Sequence, residues 1–224
     1  MSRVLAFDTS GPWTAVALGL EDVTVASAFE DMKRGQAEQL MPLVERVLAE
    51  GDCGWQDLAA IAVGIGPGNF TGIRISVAAA RGLALGLGIP ALPLSTFELL
   101  RDPEGPGANA AELVIAEAPR GRAYAQPFRY GRPTEAPRLI DPDAPPEDFR
   151  RINLTVTGHR AEEIASAYNA PACPSELDDL PRRMVKLADW KLRNGHDTDQ
   201  RPAPLYVRPA DAAPPSDPPP LILQ

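Results

Sequence analysis

The spacing of apolar segments over the first hundred residues constrains this chain more tightly than any other feature. Residues 4–9 form a nearly continuous apolar run, which reads as a buried strand. Gly11-Pro12 breaks the run, and residues 14–18 read as a second strand. Glu21-Asp22 turns the chain again into residues 23–29, an alternating third strand. Spacing this close predicts an antiparallel meander, since a parallel return needs a long crossover. A helix is expected over residues 36–50, where Ala37, Leu40, Met41, Val44, Val47 and Leu48 recur every three or four residues. Pro42 inside that pattern removes a backbone donor and is expected to bend it. Residues 60–65 read as a fourth strand, 66–72 as a loop, 71–87 as a long helix and 89–94 as a fifth strand. Ser95 can then cap a short helix through Leu100.

Residues 102–111 are turn-forming and aperiodic, which marks a linker. Beyond it, strands are expected at 112–117, 122–130 and 138–140, a degraded helix at 145–151 and a strand at 154–157. Helices are expected at 161–168 and 181–193. The order of elements in the first half thus recurs loosely in the second. That recurrence points to a duplication, with subdomains at 1–101 and 112–208. Residues 209–224 hold six prolines and read as an extended surface tail.

The helix over 71–87 is apolar nearly all round. Ile73, Val77, Ala80, Ala84 and Leu87 lie on one side, Ile75, Ala79 and Leu83 on another, and Arg74 and Arg81 on a narrow polar edge. Such a helix must be covered on more than one side. Its own sheet can cover one. Ala78, Gly82 and Gly86 allow close approach on another, by the 36–50 helix or by a partner chain; ordinary core packing is the competing reading.

Charge narrows the function. Thirty acidic residues against 22 basic give a net charge of −8. Proteins that grip a polyanion unaided present a basic surface, so any nucleic-acid substrate should be held mainly by another chain. Cys53 and Cys173 are far apart with no CxxC spacing, consistent with free thiols in a reducing compartment. The only histidines, His159 and His196, are equally scattered, so no zinc or iron site assembles from neighbours. No leader pattern opens the chain and no apolar run approaches the length of a membrane span, so a cytoplasmic location is expected.

Gly66-Pro67-Gly68-Asn69-Phe70-Thr71-Gly72-Ile73-Arg74 resembles the GPGSFTGLR signature of the TsaB (YeaZ) family, with Asn69 in place of the usual Ser. Ala6-Phe7-Asp8-Thr9-Ser10, Gln39-Leu40-Met41-Pro42-Leu43, Leu92-Pro93-Leu94-Ser95-Thr96 and Leu205-Tyr206-Val207-Arg208 match further family segments in order. The resemblance therefore spans residues 3–208. It implies an α/β fold of two ribonuclease H-like (actin-like ATPase) subdomains. Each is a mixed sheet with three antiparallel strands followed by helix-strand-helix, the second degenerate.

The resemblance also implies a function. Such a chain is the non-catalytic partner of a TsaD-like catalytic subunit that, with a TsaE-like ATPase, transfers threonylcarbamoyl to the adenosine beside the tRNA anticodon. The chain would meet tRNA only indirectly and would not meet membranes. Docking is expected through a bundle of first-subdomain helices, which nominates Leu40, Val44, Val47, Arg74, Val77, Ala80, Arg81 and Ala84. Alone, the chain would bury the same patch in a homodimer.

No catalytic residue and no metal site are expected. The H-x-x-x-H of a catalytic relative falls on Thr96 and Leu100, neither of them a competent ligand. A vestigial nucleotide corner would consist of Asp8, which matches a phosphate-side Asp of actin-like ATPases, with Gly66, Gly68 and the start of the 71–87 helix. The loop lacks Gly-Lys-Ser/Thr. The family's D-A-R-x-G-E-V-Y reads here as Glu117-Ala118-Pro119-Arg120-Gly121-Arg122-Ala123-Tyr124, and Val156-Thr157-Gly158-His159 keeps one glycine of two. No cofactor is therefore expected. The alternative reading, a stand-alone ATPase or small-molecule kinase, rests on Asp8 and the glycine loop; a metalloprotease lacks ligands. Glu98 is expected as a solvated helix residue and Lys33-Arg34 as a surface turn. Arg74 and Arg81 are expected to pair with Glu38, Glu45 or acids across an interface.

Overall fold

The structure, a computed structural model, describes residues 2–101, 111–195 and 201–207. Strands β1 (Arg3–Asp8), β2 (Trp13–Leu20) and β3 (Val23–Asp31) form an antiparallel meander. Strand β4 (Leu58–Gly66) pairs parallel with β1, and β5 (Ala91–Ser95) pairs parallel with β4. The sheet order is β3-β2-β1-β4-β5. β1 reads as continuously apolar because both its faces are covered: Leu5 and Phe7 point to one layer, Val4 and Ala6 to the other.

Helices α1 (Gln36–Glu50) and α2 (Phe70–Leu87) cover the first of those faces. Asn69 caps α2 by accepting from the Gly72 amide, and Gly88 ends it in the left-handed region at φ 67°. Contrary to the expectation above, α2 has the length and apolar composition to cross a bilayer. In the fold its Ile73, Val77, Ala80 and Ala84 stripe joins the core over β1 and β4.

The second sheet contains β6 (Ala111–Glu117), β7 (Ala123–Arg129), β8 (Arg132–Pro133), β9 (Arg138–Ile140), β10 (Leu154–Gly158) and β11 (Ala172–Pro174). Its order is β11-β10-β6-β7-β8, with β9 also on β7. Strand β6 pairs antiparallel with β7 and parallel with β10, which pairs parallel with β11. Read from its far edge, this is the order of the first sheet, so the recurrence seen in the sequence is a recurrence of topology. The helix expected at 145–151 is only a 3-10 turn, Glu147–Phe149, behind Pro145-Pro146. Two adjacent prolines cannot supply helical amides, and buried Phe149 fills the space instead. Helix α4 (Ala161–Tyr168) packs on the same core.

The last helix of each half serves the other half. Helix α5 (Leu180–Arg193) lays Leu180, Met184, Leu187 and Ala188 on the outer face of the first sheet, against Val4, Ala6, Ala15 and Leu94. Helix α3 (Thr96–Leu100) inserts Phe97 and Leu100 among Val114, Ala116 and Phe128 of the second sheet. The 112–208 boundary is corrected accordingly: α5 completes the first core, because that apolar sheet face needs a helix over it. Ala111 already belongs to β6, while residues 102–110 of the expected linker and the tail at 209–224 lie outside the described residues.

A buried ion pair ties the halves together. Arg101, just after α3, donates from Nε to Glu112 Oε2 of β6 at 2.5 Å. Its guanidinium carbon lies 4.7 Å from the Phe128 ring centre. Glu112 Oε1 accepts from the Thr157 hydroxyl of β10 at 2.7 Å.

Candidate functional site

Asp8 sits at the end of β1, almost fully buried. Its Oδ1 accepts from the Ser10 amide at 2.8 Å, the Ser10 hydroxyl at 2.8 Å and the Trp13 indole at 3.0 Å. Burial pushes the carboxyl above its ordinary value of 3.8, against the pull of those hydrogen bonds. A side chain at Gly64 would collide with the carboxylate. Asp8 is thus enclosed by its own strand ends and by Trp13, a residue that gave no signal in the sequence.

The glycine loop is spent on packing. A Cβ at Gly68 would strike the Ser10 carbonyl, one at Gly72 the Thr9 carbonyl, and one at Gly66 the Ile73 side chain. Gly66 also holds φ 85°, which L side chains rarely adopt. The Asn69 amide donates to the Ser10 carbonyl at 2.6 Å, and the Gly72 and Ile73 amides are taken by Asn69 itself. These amides point into the fold, not towards an anion. Gly68 and Gly72 therefore let the loop press against residues 9–10 beside Asp8, while Gly66 makes room for Ile73.

The matching loops of the second half are also engaged. Arg122 donates to the Ile140 carbonyl at 2.8 Å and so braces β9. The His159 amide donates to the Ile115 carbonyl at 2.9 Å, and a Cβ at Gly158 would strike that same carbonyl. Thr96, one of the H-x-x-x-H positions, donates its hydroxyl to the Pro67 carbonyl at 3.0 Å; Leu100, the other, is core. Among the described residues no cluster of three His, Cys, Asp or Glu could hold a metal. Glu98 corrects its expectation: it forms a capping box with Ser95 and an ion pair with buried Lys191 of α5 at 2.8 Å.

The nominated docking residues divide into two sets. Leu40, Val44, Val47, Val77, Ala80 and Ala84 are buried against the chain's own first sheet. They are therefore corrected from interface to core, because the stripe with the strongest periodicity is the one the sheet claims. Arg74 and Arg81 are exposed. Neither pairs with Glu38 or Glu45. Arg74 donates from Nε to the Tyr206 hydroxyl at 2.8 Å and lies 3.8 Å over the Phe70 ring. Arg81 makes no hydrogen bond or ion pair among the described residues.

The exposed flank of α2 is Thr71, Arg74, Ala78, Arg81, Gly82, Leu85 and Gly86. Among the described residues nothing lies within 4 Å of a Cβ built at Gly82 or Gly86, and Leu85 is 82% exposed. Leu85 was missed from the sequence, although it sits two turns beyond Ala78 and one beyond Arg81 on the face left over once the buried stripe is assigned. The outward face of neighbouring α1 presents Glu38, Pro42, Glu45 and Ala49.

A C-terminal strap, residues 201–207, runs beside α2. Pro202 lines a hollow of about 460 Å³ with Arg81, Leu85 and Gly88. Pro204 lines a second, of about 360 Å³, with Arg74, Ala78 and Arg81. The Leu205 amide donates to the Ile65 carbonyl at 2.9 Å, and Tyr206 packs on Phe70 with ring centres 4.8 Å apart.

Comparison with known proteins agrees with this geometry. The family model described as TsaD, tRNA N6-adenosine threonylcarbamoyltransferase, matches residues 30–134, the stretch that carries α1 and α2. The tRNA threonylcarbamoyladenosine biosynthesis protein TsaB of Escherichia coli (strain K12) is 32% identical over 163 residues, covering 67% of this chain and 68% of that protein. TsaB of Bacillus subtilis (strain 168) is 35% identical over 127 residues, covering 57% of this chain and 55% of that protein. The solved structure of YeaZ from Pseudomonas aeruginosa matches with a TM-score of 0.65 and 27% identity, over 92% of this chain and 100% of that one. With two like-ordered sheets, the glycine loop on β1 and this similarity along its length, the chain belongs to the TsaB family of tRNA threonylcarbamoyladenosine biosynthesis proteins.

Proposed function

We propose that the chain is a non-catalytic partner of a TsaD-type threonylcarbamoyltransferase and docks on it through the outer flank of α2 with the adjoining face of α1. One observation carries this reading: a long apolar helix leaves Ala78, Gly82, Leu85 and Gly86 exposed, with no side chain among the described residues over the glycines. Small residues at helical spacing let a second helix approach closely, and isolated apolar side chains such as Leu85 gain most where that approach excludes water. Because the TsaD family model matches the segment containing α1 and α2, a TsaD-type chain would bring a similar helix pair. Acidic Glu38 and Glu45 on α1 beside basic Arg74 and Arg81 on α2 suit a pseudo-twofold pairing, in which each α1 faces the other chain's α2. The same complementarity would serve a homodimer when the chain is alone. A TsaE-type ATPase and the tRNA would be engaged chiefly by other chains, in keeping with the net charge of −8. The closed surroundings of Asp8 weigh against the stand-alone ATPase.

The decisive experiment uses Gly82, where an added side chain meets nothing among the described residues. Gly82→Leu should leave the free protein folded and stabilise it by roughly 0.5–1 kcal/mol, because glycine is a poor helix former. It should nonetheless weaken binding to the TsaD-type subunit by about tenfold or more in calorimetry, and lower tRNA modification by the reconstituted enzymes. Undiminished binding would remove α2 from the interface.

A further inference from the structure

We infer, on the basis of the α2 docking proposed above, that Tyr206 on the C-terminal strap positions Arg74 as a ready-made fork for a carboxylate of the TsaD-type partner. A guanidinium offers five N–H donors, one on Nε and four on the two Nη atoms. In Arg74 the Nε donor is taken by the Tyr206 hydroxyl at 2.8 Å. The guanidinium carbon lies 3.8 Å from the Phe70 ring centre and 5.9 Å from that of Tyr206. One hydrogen bond and two aromatic rings therefore hold the group in place. Its Nη donors take no partner among the described residues, and the side chain is exposed. Together those two Nη atoms can still meet one carboxylate through a pair of parallel bonds.

The strap is itself anchored, so the fork is fixed to the fold. The Leu205 amide donates to the Ile65 carbonyl of β4 at 2.9 Å, and Leu205 and Val207 pack on the core around Phe97 and Phe128. Tyr206, between them, stacks on Phe70 with ring centres 4.8 Å apart. Arg81 lies seven residues on, about 10 Å further along α2, and has no hydrogen bond among the described residues. The two arginines thus differ. Ordering Arg81 at an interface costs rotamer entropy that Arg74 has already lost on folding.

The surroundings select the ligand. Beside the fork lies the hollow of about 360 Å³, lined also by Val77, Ala78, Arg81 and Pro204. Small, largely apolar walls suit a side chain carried on a closely packed helix, and a net charge of −8 disfavours a nucleic-acid phosphate. The occupant is an aspartate or glutamate of the partner.

A double-mutant cycle on the full chain tests this, read as affinity for the TsaD-type subunit in calorimetry. Arg74→Gln should weaken binding by about tenfold or more, as expected of an arginine anchor. Arg74→Lys should recover little of that, because an ammonium has no planar fork. Tyr206→Phe keeps the ring, removes only the hydroxyl, and should weaken binding about two- to tenfold. In the Arg74→Gln background the same change should have no effect. Both side chains are exposed, so the free variants should unfold in urea at the parent's midpoint, which separates a binding loss from a folding loss.

A Tyr206→Phe loss that persists without Arg74 would overturn the inference, and so would full binding by Arg74→Lys. Losses confined to self-association, or to the tRNA affinity of the assembled complex, would overturn it too, by placing a second copy or a phosphate in the fork. Gly82→Leu separates the fork from the docking itself. Binding weakened by Gly82→Leu but not at Arg74 keeps α2 in the interface and removes the fork; no effect at either position removes α2 docking.

Discussion

Asp8 carries the ancestral-looking position of the fold and none of its accessibility. Desolvation raises its pKa above 3.8, so the folded state holds this proton more tightly than the unfolded chain. Stability contributed at this site therefore falls as pH rises from 3.8 through the raised value, and the penalty is complete above it. Asp8→Asn keeps an acceptor for the Ser10 amide and the Trp13 indole but removes the buried charge. Its melting temperature at neutral pH should match or exceed that of the parent, and urea titrations between about pH 4 and 7 should show a flatter profile. Asp8→Ala strands both donors and should cost about 1–3 kcal/mol. A large loss of tRNA modification in a stable Asp8→Asn protein would show that the corner still acts in the complex.

At the scale of elements, α2 carries opposite consequences on its two sides. Gly82→Ala and Gly86→Ala fill open space and should each raise free-protein stability by up to about 1 kcal/mol in chemical denaturation. Ala80→Glu forces a charge into the core and should unfold the chain, so it reports on folding and says nothing of docking. The sequence showed that α2 has two apolar sides without showing which one the sheet claims, because alanine and glycine populate both. Periodic elements were legible: α1 and α4 fall at their expected residues, and Ser95 caps α3. Strands β8 and β11, of two and three residues, are too short to carry a pattern. Helix α5 was visible as an amphipathic helix, yet amphipathicity says only that a face is buried, not against which sheet. The same limit hid the bracing of Arg74 by Tyr206, two residues 132 positions apart.

Across the whole molecule, the Arg101–Glu112 pair joins the halves at the point where the chain passes between them. Glu112→Leu alone leaves a buried guanidinium without its carboxylate and should cost about 3–5 kcal/mol. Arg101→Met with Glu112→Leu should recover most of that loss in equilibrium unfolding, since an apolar pair of similar volume can replace a buried ion pair. A double variant no better than Glu112→Leu would show that Thr157 and Phe128, not the charge balance, set the joint.

The placement of α5 reaches back to synthesis. The last strand of the first sheet ends at Ser95, whereas the helix that covers its second face begins at Leu180. At translation speeds of 5–20 residues per second, the nascent chain must carry that greasy surface uncovered for roughly 4–17 s. Chaperones arriving at the ribosome should bind in that interval and release once Arg193 has emerged. Any gene fragment that stops between the halves should yield insoluble protein.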